Sequence, residues 1–264
     1  MNSLNFAEVK FSGMRQRQKV KADPESGTLF LNGKSLSIKQ AALDVPISGT
    51  VYGTMFNYQE DLNSINTFAP PYGTPPRAPV LYIKPANTLI ACNSPIPFPD
   101  GEDGLSMGAA LGIVIGKTAY KISRETAYEY ISGYTIVNDV SIPHQSFYRP
   151  AIKEKIQDGF CPAGPWVIDR EYIEDPDSLL ISVYLNGELK QQNHTSELVR
   201  PISQLLADVT NFMTLYQGDV LLAGVPAYPP IAKRGDIVKI TIEKIGFIEN
   251  MLQPDDSLHK EGSQ

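Results

Sequence analysis

Between positions 148 and 155 stand four side chains able to hold an anion: Tyr148, Arg149, Lys153 and Lys155. Arginine offers a planar fork that grips a carboxylate through two parallel hydrogen bonds, and lysine a compact point charge. A di- or tricarboxylate substrate would need such groups. Arg149 and Lys153 read equally well as part of a solvated surface. Upstream, Asp139 closes an apolar run as Asn138-Asp139, where a short carboxylate also suits a turn. The three histidines, His144, His194 and His259, are too far apart in sequence to suggest a cluster. His144 falls between Asp139 and Tyr148 and could face the same site, although an isolated histidine more often has a surface or structural role. Asp100, Glu102 and Asp103 could offer oxygens to a cation, but their plainer reading is a solvated acidic loop.

The elements that must carry these groups are mostly strands. Asn32-Gly33 separates Thr28–Leu31 from Leu36–Ile38, and Asn186-Gly187 follows the alternating Ile181, Val183 and Leu185. Both dipeptides suit a two-residue hairpin turn. Val238, Ile240 and Ile242 alternate with polar residues, as in a half-buried strand. Gly218-Asp219 and Gly235-Asp236 stand before apolar runs and read as turns entering strands. Two helices are expected. One starts near Ser123 as N-cap, with Glu125 in the first turn and Ala127, Tyr130 and Ile131 following. The other starts at Pro201 and buries Ile202, Leu205, Leu206, Val209, Phe212 and Met213. The proline-rich run over 69–79 excludes a helix and reads as an extended linker or lid. A small β-rich segment over 1–48, a main domain over 49–254 and a polar tail over 255–264 complete the organisation. The expected class is α+β, mostly β.

Composition narrows the function classes. With 42% hydrophobic and 20% charged residues the chain reads as globular, and 20 glycines with 21 prolines favour many turns. The net charge of -6 and the lack of a basic stripe argue against nucleic acid. The aliphatic stretch at Leu111–Ile115 is far short of the ~20 residues that a membrane span needs. The start lacks the apolar core of a signal peptide, so a cytoplasmic protein with Cys92 and Cys161 as free thiols is expected.

From Ala78 to Asn250 a set of motifs resembles the fumarylacetoacetate hydrolase family. They are Tyr82-Ile83-Lys84-Pro85, Val114-Ile115-Gly116-Lys117, Gly133-Tyr134-Thr135-Ile136-Val137-Asn138-Asp139, Lys155 with Asp158-Gly159-Phe160, Leu185-Asn186-Gly187-Glu188, and Gly235-Asp236 leading to Ile245-Gly246. A narrower likeness, in Pro95–Pro99 and Ser146–Lys153, is to the amino-terminal repeat of the family's tandem isomerase/decarboxylases. The resemblance implies a mixed β-roll with a cleft at one end. It also implies reactions on 2-oxo acids chelated to Mg²⁺ or Mn²⁺, which as Lewis acid stabilises an enolate. The implied role is a subunit acting on an unsaturated 2-oxo di- or tricarboxylate in 4-hydroxyphenylacetate (homoprotocatechuate) breakdown.

Asp139 keeps one of the family's three metal-ligand positions, while its Glu-x-Glu positions read Gly108 and Ala110. One carboxylate rarely holds Mg²⁺ against its water shell, so weak or absent metal binding by this chain alone is expected. Other departures are Asp61 and Ser64, where many members carry an acid/base His and Glu, and Ala223-Gly224-Val225-Pro226 in place of Thr-Gly-Thr-Pro. On the resemblance, Lys155 and Asp139 are catalytic, and Tyr148, Arg149, Lys153 and Lys84 bind substrate. The expected assembly is a homodimer, or a hetero-oligomer with a metal-binding paralogue. The alternatives are a metal-free, non-catalytic partner of such a paralogue, or another oxo-acid hydrolase or decarboxylase of the family.

Overall fold

The structure, a computed structural model, describes residues 4–65, 74, 76–144 and 151–254. Tyr148, Arg149, His259, the tail over 255–264 and residues 69–73 and 75 of the proline-rich run lie outside the described residues.

Short strands and tight turns build two sheets. Asn32 (φ 51°) with Gly33 (φ 77°) joins Thr28–Leu31 to Lys34–Ser37, and Asn186 (φ 52°) with Gly187 (φ 82°) joins Leu180–Leu185 to Glu188–His194. Positive φ at both central residues is what a two-residue hairpin with the right twist requires. The larger sheet has 13 strands among the described residues. At its centre, Leu105–Ile115 pairs antiparallel with Ile131–Ser141, and this in turn with Cys161–Asp169. Every residue of Leu105–Ile115 is buried, which explains its nearly unbroken apolar text. On the far side the sheet continues through Val220–Leu222 and Val51–Met55 to Val80–Lys84. The segment before residue 49 joins the same sheet, since Asn5–Phe11 pairs with Cys161–Asp169.

The second sheet has five strands, with Leu180–Leu185, Ile237–Ile242 and Gly246–Pro254 at its centre. One buried cluster joins the two sheets: Leu111, Ile113, Ile136 and Trp166 from the first, Ile181, Val183, Ile240 and Ile248 from the second. The Trp166 indole donates to the Ile245 carbonyl at 2.7 Å, so this buried ring keeps its polar atom satisfied. Cys92 and Cys161 are buried free thiols, both with pKa raised mainly by burial, to about 11 and about 12.

The described α-helices are three: Gln59–Ile65, Ile152–Lys155 and Ile202–Thr210. The last follows Pro201 and buries Ile202, Leu205, Leu206 and Val209 as the spacing predicts. It stops at Thr210, so Phe212 is 55% exposed and not part of the buried stripe. The helix expected after Ser123 is only a 3-10 turn, Ala127–Tyr130. The β-branched Ile131 already begins the central strand, which leaves no room for a longer helix. No described helix is long and apolar enough to cross a membrane.

Candidate functional site

The site grows from the register of two strand pairs. In the central pair Gly108 stands opposite Asp139, and at the sheet edge Gly53 stands opposite Tyr82. A Cβ at Gly53 would lie within 2.5 Å of three Tyr82 ring atoms, so glycine there lets the ring lie flat across the neighbouring strand. The Tyr82 hydroxyl then reaches Asp139 and donates to Oδ2 at 2.6 Å. Lys84 is two residues further along the same strand and therefore on the same face. Its Nζ is 2.9 Å from Asp139 Oδ1, an ion-pair contact, while it donates to the Val140 carbonyl at 3.0 Å and the Lys155 carbonyl at 2.7 Å. Lys155 closes the group from the single-turn helix Ile152–Lys155. Its Nζ donates to Asp139 Oδ2 at 2.7 Å and lies 4.6 Å from the Tyr82 ring centre.

One carboxylate thus faces two ammonium groups, and the trio carries a net positive charge. Burial alone would push the Asp139 carboxyl up, but the charges of Lys155, then Lys84, and the hydrogen bonds from Lys155 and Tyr82 outweigh it and hold it well below the usual carboxylate range. Burial and the neighbouring Asp139 charge push the Tyr82 phenol well above its ordinary value. Tyr82 therefore remains a donor at neutral pH.

Two members of the trio stand on the wall of a cleft of about 470 Å³. Lys155, Asp139 and Tyr82 line it, whereas Lys84 does not. Further polar groups are Thr54, Ser106, Ser141, Asp61 and His144. The Thr54 hydroxyl is buried with no hydrogen-bond partner among the described residues. Asp61, in the first turn of Gln59–Ile65, accepts from the Phe56 amide at 3.1 Å, and burial raises its pKa despite the Lys155 charge. His144 Nδ1 is 2.9 Å from the Ile142 carbonyl, and since a carbonyl only accepts, Nδ1 carries a proton. The remaining surface is apolar, with Met55, Phe56, Val225, Ala227 and Tyr228 contributing.

Of the residues singled out from the sequence, the structure brings together Asp139, Lys155 and Lys84. Lys84, expected on the substrate, has a fully buried side chain with donors committed to protein oxygens, so it positions Asp139 and the Lys155 turn. Lys153 is exposed and does not line the cleft. Tyr148 and Arg149 lie outside the described residues. Sequence reasoning did not single out Tyr82, Thr54, Ser106 or Ser141 as site groups. The usable signal was the i, i+2 spacing of Tyr82 and Lys84 on one strand.

The described residues do not fit a divalent cation. Asp139 is already neutralised by two lysines, and no group of three His, Cys, Asp or Glu is found among the described residues. Ala110 packs beside Val137 and Leu222 and does not line the cleft. Asp100 pairs with Arg234 at 2.7 Å, and neither it nor Glu102 or Asp103 lines the cleft. At Gly108 a Cβ would lie 2.7 Å from the Asp139 carbonyl oxygen and 3.0 Å from a Val225 methyl. The space for a side chain at this position has been filled. Gly108→Glu should therefore destabilise the fold by about 1–3 kcal/mol through overpacking and still create no tight site. Denaturant melts and calorimetric titration with Mg²⁺ and Mn²⁺ check this; a micromolar stoichiometric site in the variant would sink it.

Residues 50–253 match the family model described as fumarylacetoacetate (FAA) hydrolase C-terminal. The 4-hydroxyphenylacetate degradation bifunctional isomerase/decarboxylase of Escherichia coli is 41% identical over 206 residues, covering 77% of this chain. That match covers 47% of the relative, so the chain spans about half the length of the curated relatives it matches. Among solved structures, 2-hydroxyhepta-2,4-diene-1,7-dioate isomerase from Mycobacterium marinum superposes with TM-score 0.76 at 27% identity, over 96% of this chain and 99% of that one. The 5-carboxymethyl-2-hydroxymuconate delta-isomerase from Mycobacterium smegmatis gives TM-score 0.76 at 29% identity, over 95% and 98%.

Proposed function

The chain belongs to the fumarylacetoacetate hydrolase family, and from that premise we propose that its cleft binds an unsaturated 2-oxo di- or tricarboxylate as a subunit of an isomerase/decarboxylase of 4-hydroxyphenylacetate breakdown. The observation that carries the reading is Lys155, an ammonium on the cleft wall beside Asp139 in a trio with net positive charge. That ammonium receives the ligand's carboxylate and oxo oxygens by charge-assisted hydrogen bonds. It also stabilises the negative charge that gathers on the oxo oxygen as an enolate forms. Thr54 supplies a hydroxyl without another partner among the described residues. Asp61, which lines the cleft and whose carboxyl burial holds above its ordinary value, is the proton carrier in this reading. No step runs through a metal ion.

In this reading the chain is cytoplasmic and works as a homodimer or beside a metal-binding paralogue. The filled position at Gly108 favours a second reading, in which the chain is the non-catalytic member of such a pair.

Calorimetry with 2-oxo dicarboxylates, with and without chelator, is the test. Affinity that survives the chelator supports the proposal, and no binding by any oxo acid ends it. Turnover measured on the same chain, alone and with the paralogue, separates the two readings. The pH dependence has a defined sign. Asp61 donates to the ligand only while protonated, so its contribution is present at low pH and lost as pH rises through its raised pKa. Asp61→Asn, which donates at every pH, should flatten the affinity profile above about pH 4. An unchanged profile would remove Asp61 from the site.

A further inference from the structure

Seven described residues other than glycine have positive φ. Three are asparagines, which tolerate this conformation, and two are lysines, Lys121 and Lys244. The other two are the aromatic residues Phe56 (φ 58°) and Tyr228 (φ 55°), and both line the cleft. A bulky side chain in the left-handed region is strained, and Tyr228 carries a second restriction because Pro229 follows it.

Such strain persists only where the surroundings over-determine it. Around Tyr228 they do so. The Gln191 side chain donates to the Ala227 carbonyl at 2.7 Å and to the Tyr228 carbonyl at 3.4 Å. The Met107 amide donates to the Pro230 carbonyl at 2.9 Å, and Ile231 pairs with Ser106. The backbone is held, yet the Tyr228 side chain is not packed away: the residue is 76% exposed. Glycine would occupy this backbone at less cost, and a folding role would bury the ring. Phe56 is fixed in the same manner by the hydrogen bond its backbone N–H donates to Asp61 and by Asn57, whose side chain ties to Ala223 and Arg200.

We infer that Tyr228 is a specificity-determining residue whose ring, with Phe56, packs on a planar conjugated segment of the ligand and makes the cleft select unsaturated over saturated oxo-dicarboxylates. The inference rests on the reading of the cleft as an oxo-acid site. It adds what Lys155 cannot supply, because a cation grips a carboxylate equally well on a flat or a flexible chain. An aromatic face packs on a planar π-system better than on a puckered methylene chain.

Calorimetry on the full chain, with 2-oxohept-3-ene-1,7-dioate and its saturated counterpart 2-oxoheptanedioate, tests this. The wild type should bind the unsaturated acid roughly tenfold more tightly. Tyr228→Gly should lose most of that preference while its denaturant midpoint stays level or rises, since the strain is relieved. Tyr228→Asn, which also tolerates the backbone, should behave the same way and covers a failure of the glycine variant to fold. A preference unchanged in the variants overturns the inference, as does equal wild-type affinity for the two acids. Wild type that binds neither acid overturns the oxo-acid reading itself, and the role of Tyr228 falls with it. A lower midpoint with unchanged affinity would make the ring a packing group.

Discussion

Asp139→Asn should lower stability by about 3–5 kcal/mol. The variant keeps the shape and removes only the charge. What remains is Lys84, with no exposed side-chain surface, and Lys155, 16% exposed, facing a neutral amide. Two ammonium groups would then share a poorly solvated space without an anion. An uncompensated buried charge is the costly case, far more so than a lost surface pair. The pH dependence gives an independent check. The folded-state pKa of Asp139 lies below that of the unfolded chain, so its contribution is complete above the ordinary value of about 3.9 and is lost as pH falls toward the folded value. The gap between wild type and Asp139→Asn should therefore be constant near neutrality and narrow below about pH 4. Urea melts across that range decide the matter. A gap under about 1 kcal/mol at pH 7 would mean that the lysines find other compensation.

The legible part of the molecule is the part set by local chemistry. Asn32-Gly33 and Asn186-Gly187 announce their hairpins because two successive residues at positive φ admit few other side chains. Pro201 with Ile202, Leu205, Leu206 and Val209 marks a helix whose buried stripe is fixed by its period. The turn after Ser123 carries similar local signals, and there the pairing of Ile131 in the central sheet overrides them. Phe212 is apolar and in phase, but the helix ends two residues before it and leaves it exposed.

The site divides in the same way. Asp139 and Lys155 are recoverable from motif spacing, since each stands at the edge of a recognisable run. Lys84 is recoverable as a residue but not in its role. Its burial depends on which strands neighbour Val80–Lys84 and on where the Lys155 turn comes to rest. Tyr82 and Gly53 are 29 positions apart in the chain, and only the edge pairing makes them one feature. The same holds for Gly108. A glycine in the text shows that a carboxylate is missing, while the Val225 methyl and the Asp139 carbonyl that occupy its space come from remote segments.

The two lysines on Asp139 should separate cleanly when each is replaced by Met. Lys84→Met removes a buried ammonium that touches three oxygens, those of Asp139, Val140 and Lys155. Two carbonyls lose their donor, and the turn that carries Lys155 loses its tie to the sheet. The expected cost is about 3 kcal/mol or more in stability, read as a lower urea midpoint. Lys155→Met leaves the Asp139–Lys84 pair intact and neutral in sum, and it vacates a partly solvated position on the cleft wall. Its stability cost should be near 1 kcal/mol, because Asp139 keeps one cation and the Tyr82 hydroxyl. Its binding cost should be much larger. A charge-assisted hydrogen bond to a carboxylate is worth roughly 1.5–3 kcal/mol, or about 10- to 150-fold in affinity for a 2-oxo dicarboxylate. Lys84→Met, assayed where it is still folded, should retain ligand affinity within about fivefold, because its side chain never faces the cleft. The reverse ordering, with affinity lost in Lys84→Met and kept in Lys155→Met, would show that the ligand reaches past Asp139 and that Lys155 is the structural member of the pair.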